Sequence, residues 1–284
     1  MPLSLALLAT LLTLAACDLA SAPSDVPPDT SRLDPDVAPV TDGDWYRPGP
    51  DVTWQWQLSG ELNNRYDVEI YDIDLWSVTP ERRDALRAEG RRILCYFSAG
   101  SADDRRDDFG RFASADLGRP LDGYPRERWL DIRSEAVLDV MLRRLDLAVA
   151  RGCDGVEPDN VDAYLHETGF EITPRDQIAY SRALANAAHR RGLAFAQKNG
   201  IAFAADLVDY VDLQLNESCH RFDECHLMAP FSDAGKPILN VEYPGSEAEA
   251  EVAAETICPR AEAAGLRTLL LPWDLDDAFR VSCF

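Results

Sequence analysis

From Val52 onward, short runs of apolar and β-branched residues recur, most of them separated by stretches with helical periodicity, and this pattern commits the chain to parallel βα units. Eight runs read as strands: 52–58, 68–75, 92–97, 155–159, 194–198, 211–216, 237–243 and 268–273. Helices are clearest at 79–89, 134–151 and 174–191. In the second, Val137, Met141, Leu145 and Ala148 recur at helical spacing, with Arg143, Arg144 and Asp146 between them. Gly90, Gly152, Gly192 and Gly265 each end such a stretch just before a strand, where a helix stop favours a residue free to take positive φ.

Eight strands alternating with helices can close a barrel or form an open, doubly wound sheet. No Gly-x-Gly-x-x-Gly follows the first strand, as an open dinucleotide-binding sheet would usually show. Instead most strands end in polar residues: Gln57, Asp72 and Asp74, Ser98, Asp159 and Asn160, Lys198 and Asn199, Glu217, Glu242 and Asp274. In a barrel these ends converge on one face, where active sites form. The expected fold is therefore α/β, one (β/α)8 TIM barrel over residues 51–284. A chain of 284 residues, 46% of them hydrophobic, can bury such a core.

Acidic residues outnumber basic ones 50 to 28, which excludes duplex nucleic acid as a partner because most of the surface would repel phosphates. A neutral or cationic substrate fits better, although solubility alone also accounts for such a charge.

Residues 1–16 are uncharged and apolar, of signal-peptide length and too short to span a bilayer. Leu14, Ala15, Ala16 and Cys17 resemble the bacterial lipobox, which would make Cys17 the lipidated first residue of the mature protein. No Lys or Arg precedes the apolar run, a departure from the usual positive n-region of signal peptides; a plain secretory signal with an incidental cysteine is the alternative to the lipobox. Residues 17–50 hold seven prolines, many aspartates and few large apolar groups, and read as a disordered tether. Export leaves six cysteines in an oxidising compartment. The preferred bridges are Cys219 with Cys225 and Cys258 with Cys283, while Cys95 and Cys153 read as buried thiols. Zinc is the rival use of cysteine, but there is no Cys-x-x-Cys or His-x-His, so neither metal nor cofactor is expected.

The segment GCDGVEPDNVD crowds Asp154, Glu157, Asp159, Asn160 and Asp162 at the end of the fourth strand, with Glu157 and Asp159 on one face. Crowded carboxyls raise at least one pKa, which sets a protonated acid beside an ionised base. Asp162 reads as a helix cap. Glu217 ends the sixth strand and, paired with Asp159 across the barrel, supplies the two carboxyls that glycoside hydrolysis needs. Lys198 either tunes a neighbouring carboxylate or forms a structural ion pair, and Asn199 can hydrogen-bond sugar hydroxyls. Trp54, Trp56, Trp76, Trp129 and Trp273, with Tyr71, Tyr96 and Tyr243, either pack the core or stack on sugar rings.

These segments resemble the endo-α-1,4-polygalactosaminidase family, glycoside hydrolase family 114, from Trp54 to the C-terminus. The likeness rests on WQWQL at 54–58, YDID at 71–74, CYFSAGS at 95–101, GYPRERWLDIR at 123–133, GCDGVEPDNVDAY at 152–164, QKN at 197–199, NESC at 216–219 and VEY at 241–243. Gln197 departs from the leucine that the family often carries. The resemblance implies a (β/α)8 barrel, endo-cleavage of α-1,4-linked galactosamine polymers, and catalytic positions at Asp159 and Glu217. On the pattern of related barrel hydrolases, Asp159 is the nucleophile and Glu217 the acid/base. Expected in the binding shell are Asp72, Asp74, Tyr96, Asp154, Glu157, Asn160, Lys198, Asn199, Glu242, Tyr243 and Trp273. The implied partners are an amino-sugar polysaccharide and, through the lipid anchor only, a membrane; the chain is expected to be a monomer. The same barrel could serve as a non-catalytic glycan-binding surface lipoprotein. A metal-dependent hydrolase would require histidine clusters that the sequence lacks.

Overall fold

The computed structural model describes residues 33–284, so the signal segment 1–16, Cys17 and the first part of the tether lie outside the described residues. Strand β1 (Trp54–Gln57), β2 (Ile70–Asp74), helix α1 (Pro80–Ala88) and β3 (Arg92–Ser98) come first. A small sheet, β4 (Ser101–Asp103), β5 (Leu117–Leu121) and β6 (Tyr124–Leu130), is inserted next, ahead of α2 (Glu135–Arg151) and β7 (Gly155–Asp159). Then follow α3 (Pro174–His189), β8 (Ala194–Lys198), α4 (Ala204–Leu207), β9 (Leu213–Glu217), α5 (Cys219–Phe222), α6 (Ala229–Asp233) and β10 (Ile238–Glu242). Helix α7 (Glu247–Ala263), β11 (Leu266–Leu270) and β12 (Val281–Ser282) complete the chain.

The eight parallel strands lie in the order β1, β2, β3, β7, β8, β9, β10, β11, with β12 antiparallel on β11. The sheet curls into the expected TIM barrel, and side chains bridge the seam between its first and last parallel strands. The Trp54 indole N–H donates to the Arg267 carbonyl at 2.8 Å, and Arg267 donates back to the Val52 carbonyl at 2.9 Å. Arg280 donates to the Trp54 carbonyl and to Gln55. The helix layer departs from a regular alternation: the β1–β2 connection carries no helix, and β12 follows β11 directly.

Strand side chains alternate between two cores. Inward positions give a barrel interior of Trp54, Trp56, Ile70, Leu94, Ala196, Leu213, Leu215, Leu239, Val241 and Leu269. Outward positions such as Tyr71, Ile73, Ile93, Cys95 and Phe97 pack under Val137, Met141, Leu145 and Leu184 of the helices. The top of β3 is tied down from outside: Arg144 of α2 donates to the Ser98 carbonyl, and the Tyr180 hydroxyl of α3 donates to the Ala99 carbonyl.

Two expectations require correction. Residues 33–50 do not behave as a loose tether. Trp45 stacks on His189 with 4.1 Å between ring centroids and donates to Asp212, while Asn186 of α3 pairs with the Val40 N–H and the Ala38 carbonyl. Few apolar residues suffice here because buried polar partners on α3 satisfy the strap's backbone groups. Cys95 and Cys153, read as thiols, form a disulfide, joining Cys219–Cys225 and Cys258–Cys283. Cys95 points outward from β3 opposite Val156, and the turn leading into the adjacent strand β7 lays Cys153 against it, with 6.0 Å between the two Cα atoms.

The Cys95–Cys153 bridge closes a span of 58 residues and Cys219–Cys225 one of 6. In the chain-entropy picture, Cys95→Ala/Cys153→Ala loses about 4 kcal/mol of stability and Cys219→Ala/Cys225→Ala about 2 kcal/mol. Urea unfolding of the two double variants checks this ordering.

Candidate active site

Inward positions at the carboxyl ends of the strands carry Trp56, Asp72, Asp74, Tyr96, Glu157, Asp159, Lys198, Glu217 and Tyr243. The same period of two that fills the lower barrel with apolar side chains lines its mouth with these. Lys198, only 2% exposed, stands at their centre. Its ammonium lies 3.0 Å from Asp159 Oδ1, 3.0 Å from Glu217 Oε2 and 3.4 Å from Glu157 Oε1, and 4.8 Å from the centre of the Trp56 ring. Burial pulls this ammonium toward neutrality, but the three carboxyls facing it more than offset that and hold its pKa well above the ordinary value.

Beneath the lysine, Asp72 and Glu157 are fully buried. Burial pushes the Asp72 carboxyl up to about 8, against the opposing pull of Lys198, and drives Glu157 well above its ordinary range. Neither finds a conventional donor, and burial favours the protonated form of each, in which one carboxyl can donate to the other. They do not reach the cleft surface and act as its floor.

Above that floor, Glu217 accepts from the Tyr243 hydroxyl at 2.5 Å and from Asn199 Nδ2 at 3.0 Å. Burial raises its carboxyl, yet Lys198 and these two donors win, and the pKa is lowered. Asn199 also accepts from the Glu217 N–H through Oδ1, gripping the residue at both ends. Tyr96 donates to Asp159 Oδ2 at 3.1 Å, and burial followed by the Asp159 charge keeps that phenol protonated far above neutral pH. Asn160, at φ 59°, turns its amide onto Ser98 and Ser101. A Cβ at Gly100 would stand 1.7 Å from the Asn160 carbonyl, so only glycine lets these two turns meet. Asp74 is held by an ion pair with Arg106 at the cleft edge.

Two expected residues lie elsewhere. Asp154 sits at the opposite, amino-terminal end of β7, where it accepts from the Ile93 N–H and pairs with Arg92. Glu242 occupies an outward position on β10 and accepts from the His220 N–H and from Asn240, lining a separate pocket behind the barrel wall. Trp273 stands 64% exposed at the rim, edge-on to Tyr243. Trp54 packs inside the barrel, and Trp129 stacks on His166 at 4.7 Å.

The sequence pattern predicts no strands over 98–133, yet an inserted sheet forms there and roofs one side of the mouth. It contributes Asp103, Leu121, Tyr124, Glu127 and Trp129 to a cleft of about 960 Å³. The signal was present, since Asp122-Gly123 between alternating residues marks a hairpin, and Gly123 takes φ 80° there. Nine acidic side chains and four Lys or Arg line the cleft. Among the described residues, the one His/Cys/acid grouping with metal-ligand spacing is Cys219, His220 and Cys225, whose sulfurs are joined to each other.

A family model described as glycoside-hydrolase family GH114 matches residues 35–284. Aspergillus fumigatus Ega3, crystallised in complex with galactosamine, superposes with a TM-score of 0.80 at 36% identity, over 86% of this chain and 99% of that one. The glycoside hydrolase domain of PelA from Pseudomonas aeruginosa shares the fold with a TM-score of 0.65 at 16% identity, over 81% of this chain and 98% of that one. A Deinococcus radiodurans protein of uncharacterised function is 26% identical over 92% of this chain and 94% of its own.

Because the Tyr243 hydroxyl stabilises the ionised form of Glu217, Tyr243→Phe raises the Glu217 pKa. Carboxyl-carbon NMR titration of the two proteins measures the shift and its sign.

Proposed function

The chain belongs to glycoside-hydrolase family GH114, and from that membership we propose that it is an endo-acting glycosidase cleaving α-1,4-linked galactosamine and N-acetylgalactosamine polymers. The observation that carries this reading is the pair Asp159 and Glu217, brought to one ammonium at the open mouth of the barrel. Since an oxygen of each lies 3.0 Å from Lys198 Nζ, these two oxygens are no more than about 6 Å apart. That separation falls short of the roughly 6.5–9.5 Å expected of an inverting pair and supports retention of configuration. Asp159 is then the nucleophile that attacks the anomeric carbon, with Tyr96 and Lys198 orienting it. Glu217 gives its proton to the leaving oxygen and then takes one from water. Asp72 and Glu157 hold Lys198 from below, Tyr243 and Asn199 position Glu217, and Trp273 offers a stacking face to a sugar at the rim.

The cleft supports a cationic substrate. Its acidic excess attracts the ammonium groups of unacetylated galactosamine, and the galactosamine bound by Ega3 has the same chemistry. The three disulfides fit an oxidising compartment, in keeping with export. Tethering through Cys17, a segment 17–32 leading to the folded body, and a monomeric state complete the proposal.

Digestion of acetylated and partly deacetylated α-1,4-galactosamine polymers, with products read by mass spectrometry, tests it. The native protein is expected to release oligosaccharides. Glu217→Gln should lose about 10²- to 10⁴-fold in kcat and Asp159→Asn at least as much. Binding without release from the native protein would make this a glycan-binding barrel instead. Because Lys198 and Tyr243 hold Glu217 low, its protonated fraction is small at neutral pH, so kcat/KM is expected to rise as the pH falls from 8 toward 5.

A further inference from the structure

Glu127 differs from the other buried and half-buried carboxyls of the cleft. Asp74 is paired with Arg106, Asp103 with Arg105, and Asp159 and Glu217 with Lys198. Glu127 lines the same cleft and, among the described residues, has no ion-pair partner. Exposed Asp122 and Asp274 also line the cleft without an ion-pair partner among the described residues and stand in solvent, whereas Glu127 is half-buried. It also stands directly opposite Asp103 in the β4–β6 ladder, an unfavourable placement for two like charges. Burial pushes its carboxyl up, with Asp103 and Asp159 adding to that against the opposing pull of the Ser101 hydrogen bond and of Arg105.

Its position is nevertheless fixed. The Ser101 hydroxyl donates to Glu127 Oε2 at 2.8 Å, the Ser98 and Ser101 hydroxyls are 2.5 Å apart, and the Asn160 amide donates to both serines. With Ser101 committed as donor to Glu127, Ser98 donates to Ser101, and every hydrogen in the chain points toward that carboxylate. Asn160 directly follows Asp159, so this relay sets Glu127 and the proposed nucleophile in fixed relation. One oxygen is engaged and the other is left for a ligand. An anchored, half-buried carboxyl without an ion-pair partner, beside buried and half-buried cleft carboxyls that have one, calls for a cation from the substrate.

We infer that Glu127 is a specificity-determining residue that receives the free ammonium of a galactosamine unit bound beside Asp159. This rests on the proposed function and names the residue that would read acetylation. An ammonium offers up to three donors and a full charge to the carboxylate. An acetamido nitrogen offers one donor, no charge and an acyl group that would desolvate Glu127 without compensation.

The test compares kcat/KM on fully deacetylated and fully N-acetylated α-1,4-linked oligomers of equal length for the native protein, Glu127→Gln and Glu127→Asp. Expected is a native preference for the deacetylated oligomer. Glu127→Gln should lose about 10- to 100-fold on that oligomer while staying within about 3-fold of native on the acetylated one, and Glu127→Asp should recover part of the loss. Activity of the variants on the acetylated oligomer reports that they are folded. An equal loss on both oligomers, no loss on either, or a native preference for the acetylated oligomer overturns the inference. A native protein that cleaves neither oligomer overturns the proposed function and this inference with it.

Discussion

One buried ammonium organises the mouth of this barrel. Lys198 faces three carboxyls within 3.4 Å, and a fourth, Asp72, lies behind Glu157. A single positive charge cannot compensate four negative ones in a desolvated space, so the carboxyls divide by depth. Burial favours the protonated forms of the deeper pair, Asp72 and Glu157, and leaves most of the lysine's charge to the upper pair, Asp159 and Glu217. The upper pair keeps its geometry because both members lean on the same nitrogen and on separate donors, Tyr96 on one side and Tyr243 with Asn199 on the other.

The barrel makes that arrangement possible through its alternation. A lysine at an inward position on β8 is surrounded by the inward positions of β7 and β9, which end in Asp159 and Glu217. One step lower, Ala196, Leu213, Leu215 and Leu239 fill the interior and keep water out from below. Polar residues at the ends are tolerated because the apolar layers beneath them supply the burial that stabilises the closed sheet.

Much of this was legible in the sequence. The eight parallel strands followed from repeated apolar runs punctuated by glycine, and the catalytic candidates from charged residues at their ends. Period-two counting also contained the answer for Glu242, because Leu239, Val241 and Tyr243 face inward and Glu242 must face outward. Asp154 was misplaced for a related reason, since it precedes its strand and sits at the wrong end of it. The roof was harder to read. Strand β4 is only three residues long, and β5 and β6 carry Arg119, Arg126, Glu127 and Arg128 among few buried apolar groups, so no apolar periodicity announces them and nothing in the pattern singles out Glu127. Residues 33–50 misled by composition, because Trp45 and the polar groups of α3 hold a segment whose prolines and aspartates suggested disorder.

The measurement that bears most directly on Asp159 and Glu217 as a retaining pair is proton NMR of the first-formed product as the enzyme cuts an α-1,4-linked galactosamine oligomer. An α-anomeric reducing end that appears first and then mutarotates is expected, because attack by Asp159 and then by water inverts the centre twice. A β-anomer formed first would mean a single displacement by water and would contradict the assignment of Asp159 as nucleophile.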